Sequence, residues 1–240
     1  NLSAKVNQLF EDKQYDEVLS LVADSQSTDL KLLNLASHAA YHLKRWPIAE
    51  QYYQKLTQLQ PLSESNWFNL AQVCKFQNKF EYAENAYQKA LDIQPKFTRA
   101  RIALANLYVI QKKHIEAKKH FEQTLAHDQH NIQALNDYGC MLLDQQNYSK
   151  AQKIFEQLLQ SAPHNANGYF NLGLALMKQG VKNIAETAYR KAIEYATHFA
   201  RPYFHLANLL HDKGELEQAQ LFYEKLVQIQ PSFIGGMGSV

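Results

Sequence analysis

Residues 67–95 read WFNLAQVCKFQNKFEYAENAYQKALDIQP, and the pattern of this stretch extends over most of the chain. Apolar residues recur three and four positions apart on both sides of a short polar break, which is typical of two amphipathic helices joined by a turn. Pro95 closes the stretch, because proline lacks a backbone N–H and disfavours helix in the residue before it. The stretch therefore predicts one helical hairpin.

The hairpin recurs with a period of 34 residues. An alanine stands at the same place in six successive units, with an aromatic residue four positions later and a small residue twelve positions earlier. The alanines are Ala49, Ala83, Ala117, Ala151, Ala185 and Ala219, and the aromatics are Tyr53, Tyr87, Phe121, Phe155, Tyr189 and Tyr223. The small residues are Ser37, Ala71, Ala105, Gly139, Gly173 and Ala207, and proline closes four units at Pro61, Pro95, Pro163 and Pro231. The period predicts six repeats at 30–63, 64–97, 98–131, 132–165, 166–199 and 200–231.

Each position of the pattern has a predicted packing role. The small residue and the alanine allow the two helices to approach closely where they cross, as Gly139 and Ala151 would. The aromatic residue fills the seam toward the next hairpin. One hairpin cannot bury that aromatic alone, so the hairpins must stack on one another. The predicted fold is all-α, an α-solenoid with a concave face.

The pattern resembles that of the tetratricopeptide repeat family over about 200 residues. The residues that carry the resemblance in the second unit are Trp67, Leu70, Ala71, Ala83, Tyr87, Ala90 and Pro95. The resemblance implies a right-handed superhelix whose concave groove binds other proteins. The departures are Gln129 and Thr197 in place of the closing proline, and Arg101 and Leu135 where a large aromatic is usual.

The two ends of the chain differ from the repeats. Residues 1–29 carry a degenerate hairpin, with Val18 in the alanine position, and are expected to cap the first repeat. Residues 232–240 form a glycine-rich tail that cannot supply a polar capping helix. Three readings stay open: the natural chain continues beyond Val240, the tail covers the edge with Phe233 and Ile234, or another subunit covers it in a homo-oligomer.

Composition narrows the classes of function. The chain has 240 residues, 25 Lys+Arg against 23 Asp+Glu, and a formal charge of +2, which is too small for sequence-independent binding of nucleic acid or anionic lipid. Eight Gly and six Pro argue against a sandwich or barrel of short strands. No run approaches the roughly 18 to 20 apolar residues that span a bilayer. We expect no nucleic acid partner and no membrane span.

Residues with the chemistry of an active site are not grouped in the sequence. Glycine-rich phosphate loops, nucleophile elbows and His-Glu-x-x-His motifs are all missing, and the repeat already gives most apolar positions a packing role. His38 and His42 share a helical face, but no third ligand stands beside them. Cys74 and Cys140 read as buried free thiols. We predict a chain that is not an enzyme and holds neither a metal nor a cofactor.

One side of each first helix is more apolar than folding requires. If positions 4, 7, 8 and 11 face the partner helices, positions 2, 5, 9, 12 and 13 form the opposite side, which lines the groove in the family that the chain resembles. The apolar residues there are Phe68, Phe76, Ile102, Val109, Ile110, Phe170, Leu174, Met177 and Phe204, and the cations predicted to bind a partner are Lys75, Arg99, Lys178 and Arg201. Position 5 has an alternative role, which is packing against the neighbouring first helix. The excess apolar surface predicts a protein partner with apolar anchors and acidic residues.

Asparagines accompany this side of the first helices. They are Asn69, Asn106, Asn136, Asn171 and Asn208. An asparagine side chain both donates and accepts hydrogen bonds, so it can hold the backbone of an extended peptide without reading its side chains. We therefore include these residues in the predicted groove.

The sequence favours a protein-interaction scaffold that binds a peptide or helical segment of a partner. Two alternatives stay open: the repeats are the regulatory or substrate-presenting part of a larger glycosyl- or sulfotransferase, or the chain is a bacterial envelope or pilus assembly factor. The resemblance to pilus-biogenesis proteins lies in Leu135-Asn136-Asp137-Tyr138-Gly139. If the chain is a protein-interaction scaffold, a cytoplasmic location is expected. If it is an envelope or pilus assembly factor, a periplasmic or envelope-anchored location is expected.

Overall fold

Fourteen α-helices and no strand make up residues 2–232, the part of the chain that the computed structural model describes. Residues 233–240, and with them most of the predicted glycine-rich tail, lie outside the described residues. The helices follow one another in consecutive pairs, which confirms the prediction of an all-α fold of helical hairpins. The chain divides into two compact units between His120 and Phe121, inside α8.

Unit 1 contains the first seven helices and the beginning of the eighth. They are α1 (Leu2–Glu11), α2 (Tyr15–Ser25), α3 (Leu30–His42), α4 (Trp46–Leu59), α5 (Glu64–Phe76), α6 (Phe80–Ile93), α7 (Thr98–Ile110) and α8 (His114–His127). Within unit 1, α3 packs on α4, α5 packs on α6, and α5 also contacts α4 of the preceding hairpin. Each hairpin is therefore held by its neighbour as well as by its own two helices.

Unit 2 begins in the second part of α8 and contains the remaining six helices. They are α9 (Ile132–Asp144), α10 (Tyr148–Ser161), α11 (Ala166–Lys178), α12 (Lys182–Tyr195), α13 (Ala200–Asp212) and α14 (Leu216–Ile229). Contacts join α9 to α10, α10 to α11, α11 to α12, α12 to α13 and α13 to α14. Unit 2 is thus also a stack of hairpins.

The first helix of most hairpins begins at a polar capping residue. Asp29 accepts hydrogen bonds from the backbone of α3, Ser63 from α5, Asn131 from α9 and Asn165 from α11. Such a cap satisfies backbone N–H groups that have no partner inside the helix and contributes about 1 kcal/mol. Two first helices lack this cap: α7 begins after Phe97 and α13 after Phe199.

The turn inside each hairpin contains a residue with left-handed backbone geometry. In unit 1 these residues are Lys13, Lys44, Asn78 and Lys112, and in unit 2 they are Gln146, Gly180 and Gly214. Their φ angles lie between 56° and 80°. Most residues are strained there because Cβ approaches the following carbonyl oxygen, whereas glycine is not. The same turn is therefore made with more strain in unit 1 than in the last two hairpins of unit 2.

The repeated alanines and aromatics form the core of both units. All six alanines of the pattern are at most 1% exposed, as are the first five aromatics of the series. In unit 2 the aromatic ring lies against the small residue of its own hairpin: a Cβ added at Gly139 would stand 2.5 Å from Phe155, and one at Gly173 would stand 2.5 Å from Tyr189. The ring of Phe155 is thus the nearest neighbour of a Cβ at Gly139, and the contact of Gly139 with Ala151 stays a prediction.

The aromatics also contact the following hairpin, as the sequence predicts. Phe121 stacks on Tyr138 of the next first helix with 5.5 Å between ring centres, and Tyr189 lies 5.8 Å from the ring of His205. Aromatic pairs at such distances add stabilisation beyond their buried area.

Ion pairs link successive hairpins as well. Glu50 accepts a hydrogen bond from Lys79 at 2.6 Å in unit 1, and Glu186 accepts one from Lys213 at 2.7 Å in unit 2. Each glutamate directly follows the repeat alanine, and each lysine lies at or beside the turn of the next hairpin. The pairs fix the contact of a second helix with the hairpin after it.

The first hairpin, α1 and α2, packs on α3. Val18 is fully buried in the place of the repeat alanine, and Tyr15 stacks on His42 with 4.9 Å between ring centres. Arg45 pairs with Asp16 at 2.5 Å.

Candidate peptide-binding faces

Most of the apolar side chains at position 5 of the first helices are buried. Phe68 is 6% exposed, Ile102 is 2% exposed and Phe170 is 1% exposed, and only Phe204 is half-buried. Phe68 contacts Tyr87 of its own hairpin and Phe97 at the start of the next, with 5.9 and 5.3 Å between ring centres. Phe68, Ile102 and Phe170 are therefore buried by packing inside the protein, and they are not part of the surface that a partner can reach.

The later positions of the first helices remain accessible. Phe76 is 45% exposed and Ile110 is 53% exposed, while Val109, Leu174 and Met177 are half-buried. We call one set of residues the unit 1 face: Asn69, Lys75, Phe76, Arg99, Asn106, Val109 and Ile110. We call the other set the unit 2 face: Asn136, Leu174, Met177, Lys178, Arg201, Phe204 and Asn208.

Phe76 belongs to an aromatic cluster that the sequence analysis did not identify. Its ring stacks on Trp46 at 4.6 Å and lies 6.0 Å from Tyr41, and these two rings are 5.3 Å apart. Lys75 lies 5.2 Å from the centre of the Phe76 ring, and burial lowers the pKa of its ammonium group. Trp46 was the residue in the sequence that could have indicated this cluster. It begins the second helix α4, and its ring contacts Phe76 at the end of the next first helix, α5.

Two arginines lie over buried position-5 rings. The guanidinium of Arg99 is 5.0 Å from the centre of the Phe68 ring, and that of Arg201 is 4.6 Å from the Phe170 ring. Phe199 lies 5.3 Å from Phe170, just as Phe97 lies 5.3 Å from Phe68. We call these groups the arginine–phenylalanine clusters; one consists of Phe68, Phe97 and Arg99, and the other of Phe170, Phe199 and Arg201.

Most asparagines of unit 2 contact other side chains. Asn171 is 8% exposed and donates to Asn136 Oδ1 at 3.2 Å, with Cys140 Sγ at 3.6 Å. The hydroxyl of Tyr223 donates to Asn208 Oδ1. Asn171 is therefore a link between first helices and not a clamp for a peptide. In unit 1, Asn69 and Asn106 are half-buried.

Unit 2 concentrates positive charge around one ring. Burial lowers the pKa of His205, and the charges of Arg201 and Lys178 lower it further. His205 therefore remains neutral near pH 7 beside these two cations. Arg201 also acts on Cys140, whose thiol pKa burial raises to about 11.

The thiol of Cys74 is buried, and two exposed histidines of α3 contact neighbouring groups. Burial raises the pKa of the Cys74 thiol to about 11, so this cysteine is a thiol at neutral pH. The imidazole of His38 contacts the backbone carbonyl of Asn34 at 2.7 Å, while His42 stacks on Tyr15. Within residues 2–232, no three His, Cys, Asp or Glu side chains are grouped closely enough for a metal. None of the helices in that range has the length and apolar character needed to cross a membrane.

Comparisons with known proteins identify the repeats. The model of the TPR domain of cytochrome c-type biogenesis protein H matches residues 57–163, and a general tetratricopeptide repeat model matches residues 166–198 and 200–233. No curated protein sequence matches the chain.

Solved structures share the fold at low sequence identity. The C-terminal part of a TPR repeat-containing protein from Cytophaga hutchinsonii is 14% identical, with a TM-score of 0.77 over 96% of each chain. PilF of Pseudomonas aeruginosa is 24% identical, with a TM-score of 0.64 over 69% of this chain and 75% of its own. YrrB, a TPR protein with an unusual peptide-binding site, is 21% identical, with a TM-score of 0.59 over 76% of this chain and 94% of its own. The repeat matches and the paired helices together place this chain in the tetratricopeptide repeat superfamily of protein-interaction scaffolds.

Proposed function

We propose that the chain binds an extended or helical segment of a partner protein through its first-helix faces. The exposure of Phe76 and Ile110, at 45% and 53%, carries this proposal. Both lie at position 13 of successive first helices, where the repeat pattern does not require an apolar side chain. Large apolar side chains grouped at the surface beside cations are typical of protein-binding sites.

The chemistry of the unit 1 face indicates the partner. Lys75 lies beside the Phe76 ring and Arg99 stands in the first turn of α7, so the segment should place apolar anchors on the face and acidic residues near these cations. The Trp46 and Phe76 rings stack with 4.6 Å between their centres and form an apolar platform. Aromatic anchors of this kind carry much of the binding energy in protein interfaces. An unfolded segment loses entropy on binding, so modest affinity concentrated in a few contacts is expected.

Site-specific photo-crosslinking in the source organism tests the proposal. A photoreactive phenylalanine analogue is placed at Ile110 on the unit 1 face. The matched control is Ile115, which is 84% exposed but belongs to the second helix α8. We expect a discrete crosslinked partner from position 110 and none from position 115. Crosslinking from position 115 alone would place the partner on the second-helix side and overturn the proposal.

A second candidate is an assembly factor of the bacterial envelope. Two comparisons favour it: the match of residues 57–163 to a cytochrome c-type biogenesis TPR domain and the likeness to PilF. Under this reading the partner is a component of an assembling complex. Deletion of the gene, followed by haem staining of c-type cytochromes and by assay of pili, tests it. Normal levels of both would count against an assembly role in either system.

A further inference from the structure

The two arginine–phenylalanine clusters are copies of one arrangement, one in each unit. Their residues are related by three repeats, or 102 positions: Phe68 and Phe170, Phe97 and Phe199, Arg99 and Arg201. The distances agree as well, with 5.3 Å between the two rings in both units and 4.6 to 5.0 Å from guanidinium to ring. The four repeats other than the third and sixth have no arginine at this position.

The first helix that begins at each cluster has no capping hydrogen bond from a side chain. Asp29, Ser63, Asn131 and Asn165 cap the first helices that begin without a cluster. Phe97 and Phe199 stand at the same position and make no capping hydrogen bond. Sequences usually depart from local stability rules where a functional site requires it. The second phenylalanine of each cluster therefore has a purpose other than starting its helix.

The clusters hold two arginines that lack carboxylate partners. Of the five arginines in the chain, Arg45 pairs with Asp16 and Arg190 pairs with Glu186. Arg101 donates to the backbone carbonyl of Pro95. Within residues 2–232, neither Arg99 nor Arg201 forms an ion pair, although both are exposed. Arg190 also lies over a phenylalanine ring, that of Phe222, but it has Glu186 as a partner. Within residues 2–232, Arg99 and Arg201 are thus the arginines that lie over a ring and have no carboxylate partner.

An arginine held over a phenylalanine ring is well suited to bind a carboxylate. A guanidinium that stacks on a ring uses its flat face, so its in-plane N–H groups can still donate hydrogen bonds. Those N–H groups form a fork that matches the two oxygens of a carboxylate. Because stacking already restricts the side chain, less conformational entropy is lost when a carboxylate binds.

We propose that Arg99 and Arg201 form two equivalent sites for aspartate or glutamate side chains of a partner segment, one site in each unit. This inference deepens the proposed function and rests on it. It specifies that acidic side chains of the partner bind to Arg99 and Arg201, and that the chain therefore has two binding sites for them.

Calorimetric titration of the full chain tests the inference with two synthetic peptides. The probe is an acetylated and amidated dodecapeptide in which glutamate alternates with leucine, and the matched peptide has glutamine in place of every glutamate. We expect two equivalents of the glutamate peptide per chain, and at least tenfold weaker binding of the glutamine peptide. Circular dichroism verifies that each variant is folded.

Variants then assign the sites. Arg99→Gln and Arg201→Gln should each leave one equivalent, and the double variant should leave none. Arg99→Lys keeps the charge but removes the planar fork, so about tenfold weaker binding at that site is expected. Lys96→Gln removes an exposed charge three residues from Arg99, without a stacked ring, and should leave both equivalents in place. Phe97→Asn supplies a capping side chain and takes away a ring, so a folded variant with weakened binding at one site is expected.

The outcomes separate this inference from the proposed function. Equal binding of both peptides, or stoichiometry unchanged in the Arg99→Gln and Arg201→Gln double variant, overturns the arginine sites. Equal losses from Lys96→Gln and Arg99→Gln overturn them too, because the effect would then be general attraction by charge. A crosslinked partner at Ile110 with failed acidic sites would leave the proposed function standing. Absence of that crosslink would remove the proposed function itself.

Discussion

Units 1 and 2 share the arginine–phenylalanine cluster but differ at the end of the first helix that precedes it. In unit 1 that helix ends with Phe76, which stacks on Trp46, whereas in unit 2 the residue three repeats later is Lys178. In unit 1 this helix thus ends with Lys75 beside an aromatic platform, and in unit 2 it ends with Met177 and Lys178. The comparison shows that the repeat fixes the packing of a hairpin, while the residues at the end of its first helix vary.

The units also differ at the small position of the first helix. Unit 1 has Ala71 opposite Tyr87, whereas unit 2 has Gly173 opposite Tyr189. A Cβ at Gly173 would stand 2.5 Å from the Tyr189 ring, and that ring is fully buried. The ring therefore lies closer to the first helix in unit 2 than an alanine would permit.

The largest expected effect comes from exchanging these small residues. Gly173→Ala should destabilise unit 2 by about 1 to 3 kcal/mol, because the added methyl group forces the buried ring to move. Gly139→Ala should also destabilise unit 2, because a Cβ at this position would stand 2.5 Å from Phe155. Hydrogen exchange resolved along the chain measures the change and assigns it to a unit.

The reverse exchange in unit 1 is the control. Ala71→Gly should cost only about 1 kcal/mol, since it loses helix propensity without forcing a ring to move. If Gly173→Ala left protection in unit 2 unchanged, the close approach of Tyr189 to its first helix would be wrong.

A somewhat smaller effect is expected from the aromatic platform of unit 1. A double-mutant cycle with Trp46→Ala and Phe76→Ala should show a coupling of about 0.5 to 1.5 kcal/mol, because the two rings stack. The residues three repeats later, Tyr148 and Lys178, provide the matched cycle in unit 2. Denaturant unfolding measures both cycles. Equal coupling free energies in the two units would contradict the proposed difference between their faces.

Turn geometry offers a third and smaller test of the comparison. Lys112 in unit 1 and Gly214 in unit 2 are three repeats apart and have φ angles of 61° and 80°. Lys112→Gly should stabilise unit 1 by up to about 1 kcal/mol, because glycine relieves left-handed strain although it loses more entropy on folding. Gly214→Lys should destabilise unit 2 by a similar amount. Opposite signs in thermal unfolding are the expected result, and equal signs would refute the argument from strain.

The sequence was sufficient to predict the fold because the repeat depends on residue size at fixed spacing. The alanine series and its aromatics leave one way to bury the rings, which is the stacking of hairpins. The left-handed turns were harder to predict, since Lys44 and Gln146 give no sign of a positive φ angle. That geometry follows from closing the hairpin, which overrides the preference of the individual residue.

The candidate site was less predictable because helical periodicity does not report how deep a side chain lies. Phe68 and Phe170 belong to the same side of the first helix as Phe76, yet the start of the next hairpin covers them. The signal that could have revealed this is a phenylalanine, Phe97 or Phe199, in a position where four other repeats have a capping residue. The partnership of Trp46 with Phe76 depends on packing between hairpins, which spacing within one repeat cannot show.

The smallest expected effect concerns an ion pair that is stronger in unit 2. Burial raises the pKa of Glu186, but hydrogen bonds from Lys213 and Arg190 outweigh it, and the net pKa lies below its usual value of 4.5. The unit 1 residue three repeats earlier, Glu84, has only the longer pair with Lys113 at 3.3 Å, beside a hydrogen bond from Tyr108. Because the folded pKa is lowered, the contribution of Glu186 is complete above about pH 4.5 and is lost as the pH falls through the folded pKa.

The side chains that pair with Glu186 are partly exposed, so the contribution should be about 0.5 kcal/mol. Glu186→Gln should therefore lower the stability of unit 2 near pH 7 and flatten its loss of stability at acid pH. Glu84→Gln is the matched control and should change the pH dependence less. Thermal unfolding at pH 7 and pH 3, with hydrogen exchange to locate the change, measures both variants. A pH dependence that Glu84→Gln alters more than Glu186→Gln would contradict the stronger pairing in unit 2.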